Sequence, residues 1–233
     1  MTVAFNNKHR IDALVFDAYG TLFDVQSVAK LAEQFFAGKG ELLTQRWRIK
    51  QLEYSWLQSL MQSAAQPRKD FAAVTAHALD HATESLGLAV SNSVRTRLLA
   101  AYLHLDLFPD AKETLARLAP TPRVILSNGT LAMLLPLVND AGLAPHIDSI
   151  LSVDAAGVYK PAPRVYQLAA DHLRLAPEHI GFVSSNCWDA IGAKAFGFTV
   201  FWVNRASATP DRHGPQPDCT VGSLAELVPM LAP

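Results

Sequence analysis

The 233-residue chain predicts an α/β protein, a parallel sheet covered by helices with an all-helical block inserted after the first strand. Three observations carry this. From about residue 105 onward, short apolar runs alternate with segments of helical periodicity. Between residues 24 and 104 the periodicity is helical throughout, and no run reads as a strand. The hydrophobic content, 50%, is enough to bury both faces of such a sheet.

The first strand is the apolar run Ile11 to Phe16, interrupted only by Asp12. It ends on Asp17, and a Gly20-Thr21 turn follows, so a strand delivers a carboxylate to a loop. QSVAKLAEQFFAG, ELLTQRWRIKQLEYSWLQSLMQ, DFAAVTAHALDHATESLG and SVRTRLLAAYLHL then read as four helices, with PRKD at 67–70 as an inter-helix loop. PDAKETLARLA is a helix, RVILSNG a strand reaching a turn, and LAMLLPLVNDAGL a helix closed by Gly142. IDSILSV is the next strand, and PAPRVYQLAADHLRL a helix entered through Pro161. HIGFVSSN is a strand, WDAIGAKAFGF a helix, and TVFWVN the last strong strand.

Composition narrows the function. The net charge of −1, with both signs scattered, gives no footprint for nucleic acid. MTVAFNNKHRID lacks the apolar stretch of a signal peptide, and no run approaches the ~18 apolar residues of a membrane span. Cys187 and Cys219 show no metal-ligand spacing, so reduced thiols in a cytoplasmic protein are expected. Cys187 and the eight histidines form no site pattern.

Ligands of an open parallel sheet bind beyond the carboxyl ends of its strands. Four ends here carry polar residues: Asp17 and Thr21; Ser127 and Asn128; Lys160; and Ser184, Asn186 and Asp189. Each alone has an ordinary explanation, as a cap, a turn or a solvated lysine. Their shared edge is what points to a site.

The series D-x-Y-G-T, S-N-G, K-P and S-S-N-x-W-D resembles the motifs of the haloacid dehalogenase superfamily. RIKQLEYSWLQSLM, SVDAAGVYKPAPRVYQLA and FVSSNCWDAIGA resemble more closely the L-2-haloacid dehalogenases, a likeness running from about residue 11 to 205. It implies a Rossmann-like catalytic core formed by residues 1–23 and 105–233 and a helical cap at 24–104. It implies catalytic roles for Asp17, Thr21, Arg48, Ser127, Lys160, Tyr166, Ser184, Asn186 and Asp189. Tyr19, Leu52, Phe71 and Trp188 would line the substrate pocket with Arg48, Ser127 and Asn128. Ile49 stands where the family keeps a polar glutamine. A homodimer through the long cap helix is also implied. The substrate would be a short 2-haloacid, released as halide and 2-hydroxy acid, with no cofactor and no metal.

Two departures from the superfamily's phosphatases make chemical sense. A phosphatase protonates an alkoxide leaving group and keeps a second acid two residues after the first. A halide leaves without a proton, and Tyr19 there removes a charge and supplies a pocket wall. The last motif has Ser185 and Asn186 where a phosphatase has an acid, so few hard-cation ligands remain. A 2-haloacid is a monoanion that Arg48 and Lys160 can balance. The rival readings are a superfamily phosphatase and a non-catalytic module that holds an anion.

Overall fold

The computed structural model describes residues 10–231. The first nine residues, which carry most of the leader-peptide reading, and residues 232–233 lie outside it. The chain begins with β1 (Ala13–Phe16), and a two-residue strand β2 (Phe23–Asp24) leads into four helices. These are α1 (Val28–Phe35), α2 (Gly40–Met61), α3 (Phe71–Ser85) and α4 (Asn92–Ala101). Return to the sheet runs through β3 (Asp106–Leu107), α5 (Ala111–Arg117), β4 (Arg123–Ser127), α6 (Leu131–Asp140) and β5 (Ser149–Ser152). Then come α7 (Pro163–Leu173), β6 (Ile180–Ser184), α8 (Cys187–Phe196), β7 (Thr199–Val203), β8 (Cys219–Val221) and α9 (Val228–Leu231).

Six strands form one sheet in the order β5-β4-β1-β6-β7-β8, with every pairing parallel. All residues of β1, β4, β6 and β7 are buried, as strands covered by helices on both faces must be. The sequence order reverses at β1, which has β4 on one side and β6 on the other. That is the switch point at which a crevice opens. Phe16 is level with Ile125 and with Val183, so Asp17 emerges level with Ser184 and one residue short of Ser127.

Three details differ from the sequence reading. The sheet has a further strand, β8, after β7; three residues with only one deeply buried carry little periodic signal. The entry proline of α7 is Pro163, in its first turn; Pro161 precedes the helix and is joined to Lys160 by a cis bond. The chain also crosses between sheet and helical block on an antiparallel pair, β2 with β3, too short to read from pattern.

The helical block packs around Trp47, Val74, Ala78, Leu79, Leu98 and Tyr102, all buried. The Trp47 indole N–H donates to the Thr75 carbonyl at 2.8 Å, joining α2 to α3. The block closes onto the core through its 62–70 loop. Arg68 pairs with Asp154 and lies 4.3 Å over the Tyr159 ring, while the Tyr159 hydroxyl donates to the Lys69 carbonyl at 2.7 Å. Just past β3, Arg205 grips both carboxylate oxygens of Asp110 at 2.7 and 2.9 Å. Asp110 also accepts the Leu224 N–H at 2.8 Å, which ties the C-terminal segment to the crossing.

Candidate active site

The turn after β1 is built around one carbonyl. Ala18 accepts N–H bonds from Thr21, Leu22 and Phe23 at 3.0–3.2 Å, while Gly20 donates back to Phe23 at 2.7 Å. Gly20 sits at φ +91°, a conformation that L side chains rarely adopt, so glycine belongs there. This tight loop turns Asp17 into the crevice. Gly129 serves the neighbouring turn differently. A Cβ there would come within 2.8 Å of the Tyr19 ring, so its bare backbone lets that ring approach the loop closely.

Asp17 is gripped on both oxygens. Oδ1 accepts from the Lys160 ammonium at 3.0 Å; Oδ2 accepts from the Thr21 hydroxyl at 3.0 Å and the Asn186 amide at 2.8 Å. Lys160 also donates to Asp189 at 2.9 Å, so one buried ammonium bridges two buried carboxylates. Burial works against the Lys160 charge, but Asp17 and Asp189 outweigh it and hold the ammonium above its usual range. Burial pushes Asp189 up to about 6, against the pull of Lys160 and with Asp17's like charge adding to the rise. Tyr166 donates its hydroxyl to Asp189 at 2.8 Å and so fixes this second carboxylate rather than touching Asp17.

The remaining polar residues hold the loops. The Thr21 hydroxyl accepts the Ser185 N–H at 2.9 Å, and Ser184 accepts the Asn186 N–H at 3.1 Å. Ser127 accepts the Gly129 N–H at 3.1 Å, and Asn128 accepts the Lys160 N–H at 3.0 Å through Oδ1. In the 17–21 turn, the N–H groups of Asp17, Gly20 and Thr21 are spent on the carbonyls of Val183, Phe23 and Ala18. Those of Ala18 and Tyr19 have no partner among the described residues.

Arg48 descends from α2 to this cluster. Its guanidinium donates to the Tyr19 carbonyl at 3.3 Å and the Asn186 carbonyl oxygen Oδ1 at 3.4 Å. Arg48, Leu52 and Trp56 recur at four-residue spacing and share one helical face. Trp56 meets Trp188 edge-on at 5.6 Å, joining α2 to α8, and Phe71 lies 5.7 Å from Tyr19, joining α3 to the turn after β1. Ile49 is different: it is 65% exposed and points away from this face. The side chain beside Arg48 is instead Gln51, which sequence reasoning missed. Fully buried, it accepts from Arg48 at 2.8 Å and donates to the Thr75 hydroxyl at 2.7 Å. Its only sequence signal was its place three residues after Arg48 on a helix.

Known proteins resemble this chain in sequence and fold. The haloacid dehalogenase-like hydrolase family matches residues 11–197. An (S)-2-haloacid dehalogenase of Xanthobacter autotrophicus is 50% identical over 197 residues, covering 84% of this chain and 76% of the relative. (S)-2-haloacid dehalogenase H-109 of Pseudomonas putida is 41% identical over 93% of this chain and 96% of its own. The structure of the Xanthobacter autotrophicus L-2-haloacid dehalogenase with chloropropionic acid covalently bound superposes with a TM-score of 0.88. It is 42% identical there, and the match covers 94% of this chain and 98% of that one. With likeness of this extent across sheet, site loops and helical block, the chain belongs to the haloacid dehalogenase-like hydrolases.

Proposed function

We propose that this protein hydrolyses the carbon–halogen bond of short L-2-haloalkanoic acids, releasing halide and the D-2-hydroxy acid without a metal. The observation that carries this reading is the Lys160 ammonium bridging Asp17 and Asp189, with Tyr19 two residues after Asp17. It leaves one aimed carboxylate and no second acid two residues on. Asp17 attacks C2 in line; the new C–O bond forms as the carbon–halogen bond breaks and the halide takes its electron pair. Arg48, with Asn186, stabilises the charge that develops on the halide. Ser127, Asn128 and the free N–H groups of the turn hold the substrate carboxylate. Tyr19, Leu52, Phe71 and Trp188 exclude water around C2. Water beside Asp189 then adds to the Asp17 carboxyl carbon and the ester C–O bond to the substrate breaks; the departing alkoxide takes one of the water's protons to become the 2-hydroxy acid, and the other is released as the Asp17 carboxylate re-forms.

Metal independence rests on the donor set. Both carboxylates are already engaged by one ammonium, and among the described residues no three His, Cys, Asp or Glu side chains converge. In EDTA-treated buffer, L-2-chloropropionate should release chloride at the untreated rate, while p-nitrophenyl phosphate releases no phosphate. Phosphate release restored by Mg²⁺ would establish the phosphatase instead, and neither product would establish the anion-binding module. Chiral chromatography should show D-lactate from the L-substrate and the D-substrate unconsumed; L-lactate would rule out a single displacement.

The Asp189 shift predicts a pH effect. A protonated Asp189 no longer offers Lys160 a charged acceptor, so kcat/KM should fall on the acid side with an inflection near pH 6. The Tyr166 hydroxyl favours the Asp189 carboxylate and lowers its pKa. In Tyr166→Phe that donor is gone, so the acid limb should move to higher pH. An unmoved limb would mean that Tyr166 only packs.

Within the reading fall a cap made by residues 24–104, a core made by the rest, a cytoplasmic location and a homodimer. Among the described residues no helix is long and apolar enough to cross a membrane. α2 supports the dimer by exposing Ile49 at 65%, Leu60 at 81% and Met61 at 55%. Leu60→Glu should convert a dimer into single chains on light scattering without loss of turnover; single chains before the change would refute the dimer.

A further inference from the structure

A buried hydrogen-bond relay stands behind Arg48, and it starts on a different helix. Thr75 lies one turn into α3, and its buried hydroxyl donates back to the Phe71 carbonyl at 2.6 Å. A hydroxyl has one proton to give. With that proton on Phe71, the Thr75 oxygen can only accept, and it accepts the Gln51 side-chain N–H at 2.7 Å. The fully buried Gln51 amide is thereby turned with its nitrogen toward α3 and Oε1 toward Arg48, whose Nη1 donates to it at 2.8 Å. Both neighbours demand the same orientation. Flipped, the amide would set N–H against the guanidinium N–H, and an oxygen against a hydroxyl whose proton is already engaged. Buried groups would then be left unpaired. The Trp47 indole, donating to the Thr75 carbonyl at 2.8 Å, ties the same residue to α2.

This relay holds Arg48 more closely than the loops below it do. Nη2 reaches the Tyr19 carbonyl and Asn186 only at 3.3 and 3.4 Å, so the short bond to Gln51 decides where the guanidinium fork points. The acceptor is also uncharged. An amide oxygen directs the guanidinium without neutralising it, whereas a carboxylate in the same place would offset the field that the crevice receives.

We infer that Thr75 and Gln51 are positioning residues for the reaction: α3, through the Thr75 hydroxyl and the Gln51 amide, aims the Arg48 guanidinium at the halide leaving C2. This rests on the dehalogenase reading, in which Arg48 stabilises the charge that develops on the halide. Neither residue touches substrate. A donor stabilises a developing charge best when it is already fixed in place before the reaction. Misplacing such a group by about 1 Å can cost on the order of 10²-fold in rate.

The test is a double-mutant cycle in the full chain between Arg48→Ala and Thr75→Val, which removes the hydroxyl with little change of shape. Alone, Thr75→Val should lower kcat/KM for L-2-chloropropionate about tenfold or more. The loss should stay below that of Arg48→Ala, since aiming a group cannot contribute more than the group aimed. In the Arg48→Ala background, Thr75→Val should cost nothing further. kcat/KM is the right measure because it reports ester formation even when ester hydrolysis limits kcat. Thr75→Ser restores the hydroxyl and should recover most of the rate. A Thr75 that only packs would give the same loss in both backgrounds. That result, no loss in Thr75→Val alone, or a Thr75→Ser as slow as Thr75→Val overturns the inference. Gln51→Met cuts the relay at its other link and should behave in the cycle as Thr75→Val does; it decides the matter if Thr75→Val does not fold. If Arg48→Ala itself keeps near-normal kcat/KM, the relay has nothing to aim and the inference fails. If the wild-type protein releases no halide from any L-2-haloacid, the dehalogenase reading has failed. If it does and the cycle is additive, only this inference has.

Discussion

Asp17→Asn should have no measurable turnover, because a neutral amide is a poor nucleophile and the reaction has no other route to carbon. The variant should still fold. The Asn side chain keeps the shape of Asp, one of its atoms remains an acceptor for Thr21 or Asn186, and Lys160 retains Asp189. Loss of activity alone does not separate two mechanisms: Asp17 as nucleophile, or as general base for a water that attacks C2. Isotope placement does. With enzyme in excess in H₂¹⁸O, a single turnover should yield mostly unlabelled hydroxy acid. Its new hydroxyl oxygen comes from Asp17, and the label should appear in the peptide containing Asp17. Over many turnovers the label reaches the product. A single-turnover product carrying ¹⁸O at its hydroxyl, with the Asp17 peptide unlabelled, would assign the attack to water.

Arg48→Ala should cost about 10²–10³ in rate, by analogy with removal of one donor from an oxyanion hole. It should cost little stability. Arg48 is half-buried on the crevice face of α2, and two of its three acceptors, the Tyr19 carbonyl and Asn186, belong to the loops below. Gln51 keeps its bond to Thr75 when Arg48 is gone, so the α2–α3 packing survives. Thermal melting should therefore stay near the wild-type value while kcat/KM collapses for every halogen. Near-normal turnover would make Arg48 a solvated surface cation with no part in the reaction.

The fold was largely legible because strands and helices announce themselves by period, and a doubly covered parallel sheet needs unbroken apolar runs. β1, β4, β6 and β7 have them, and each is buried throughout. β8 and the β2–β3 pair escaped because two or three residues hold at most one and a half periods of alternation, too little to read as a pattern. Asp17, Thr21, Lys160, Asn186 and Asp189 were legible as candidates because strand ends and short motifs mark where an open sheet binds. Their roles came from resemblance.

What the sequence determined by itself was the order of elements, the edge at which polar residues gather, and the absence of a second acid at Tyr19. What only the tertiary structure decided were distances between residues remote in sequence. Lys160 stands between two carboxylates, Tyr166 serves Asp189 rather than Asp17, and Gln51 rather than residue 49 supports Arg48. Ile49 shows the reason. A motif position assigns a residue to a turn of helix, but which way that turn faces depends on how α2 rotates to bury Leu43, Trp47 and Gln51. Each residue advances about 100° around a helix. One step past Arg48 is enough to carry Ile49 out to the surface, and only the packing of the whole block sets that rotation.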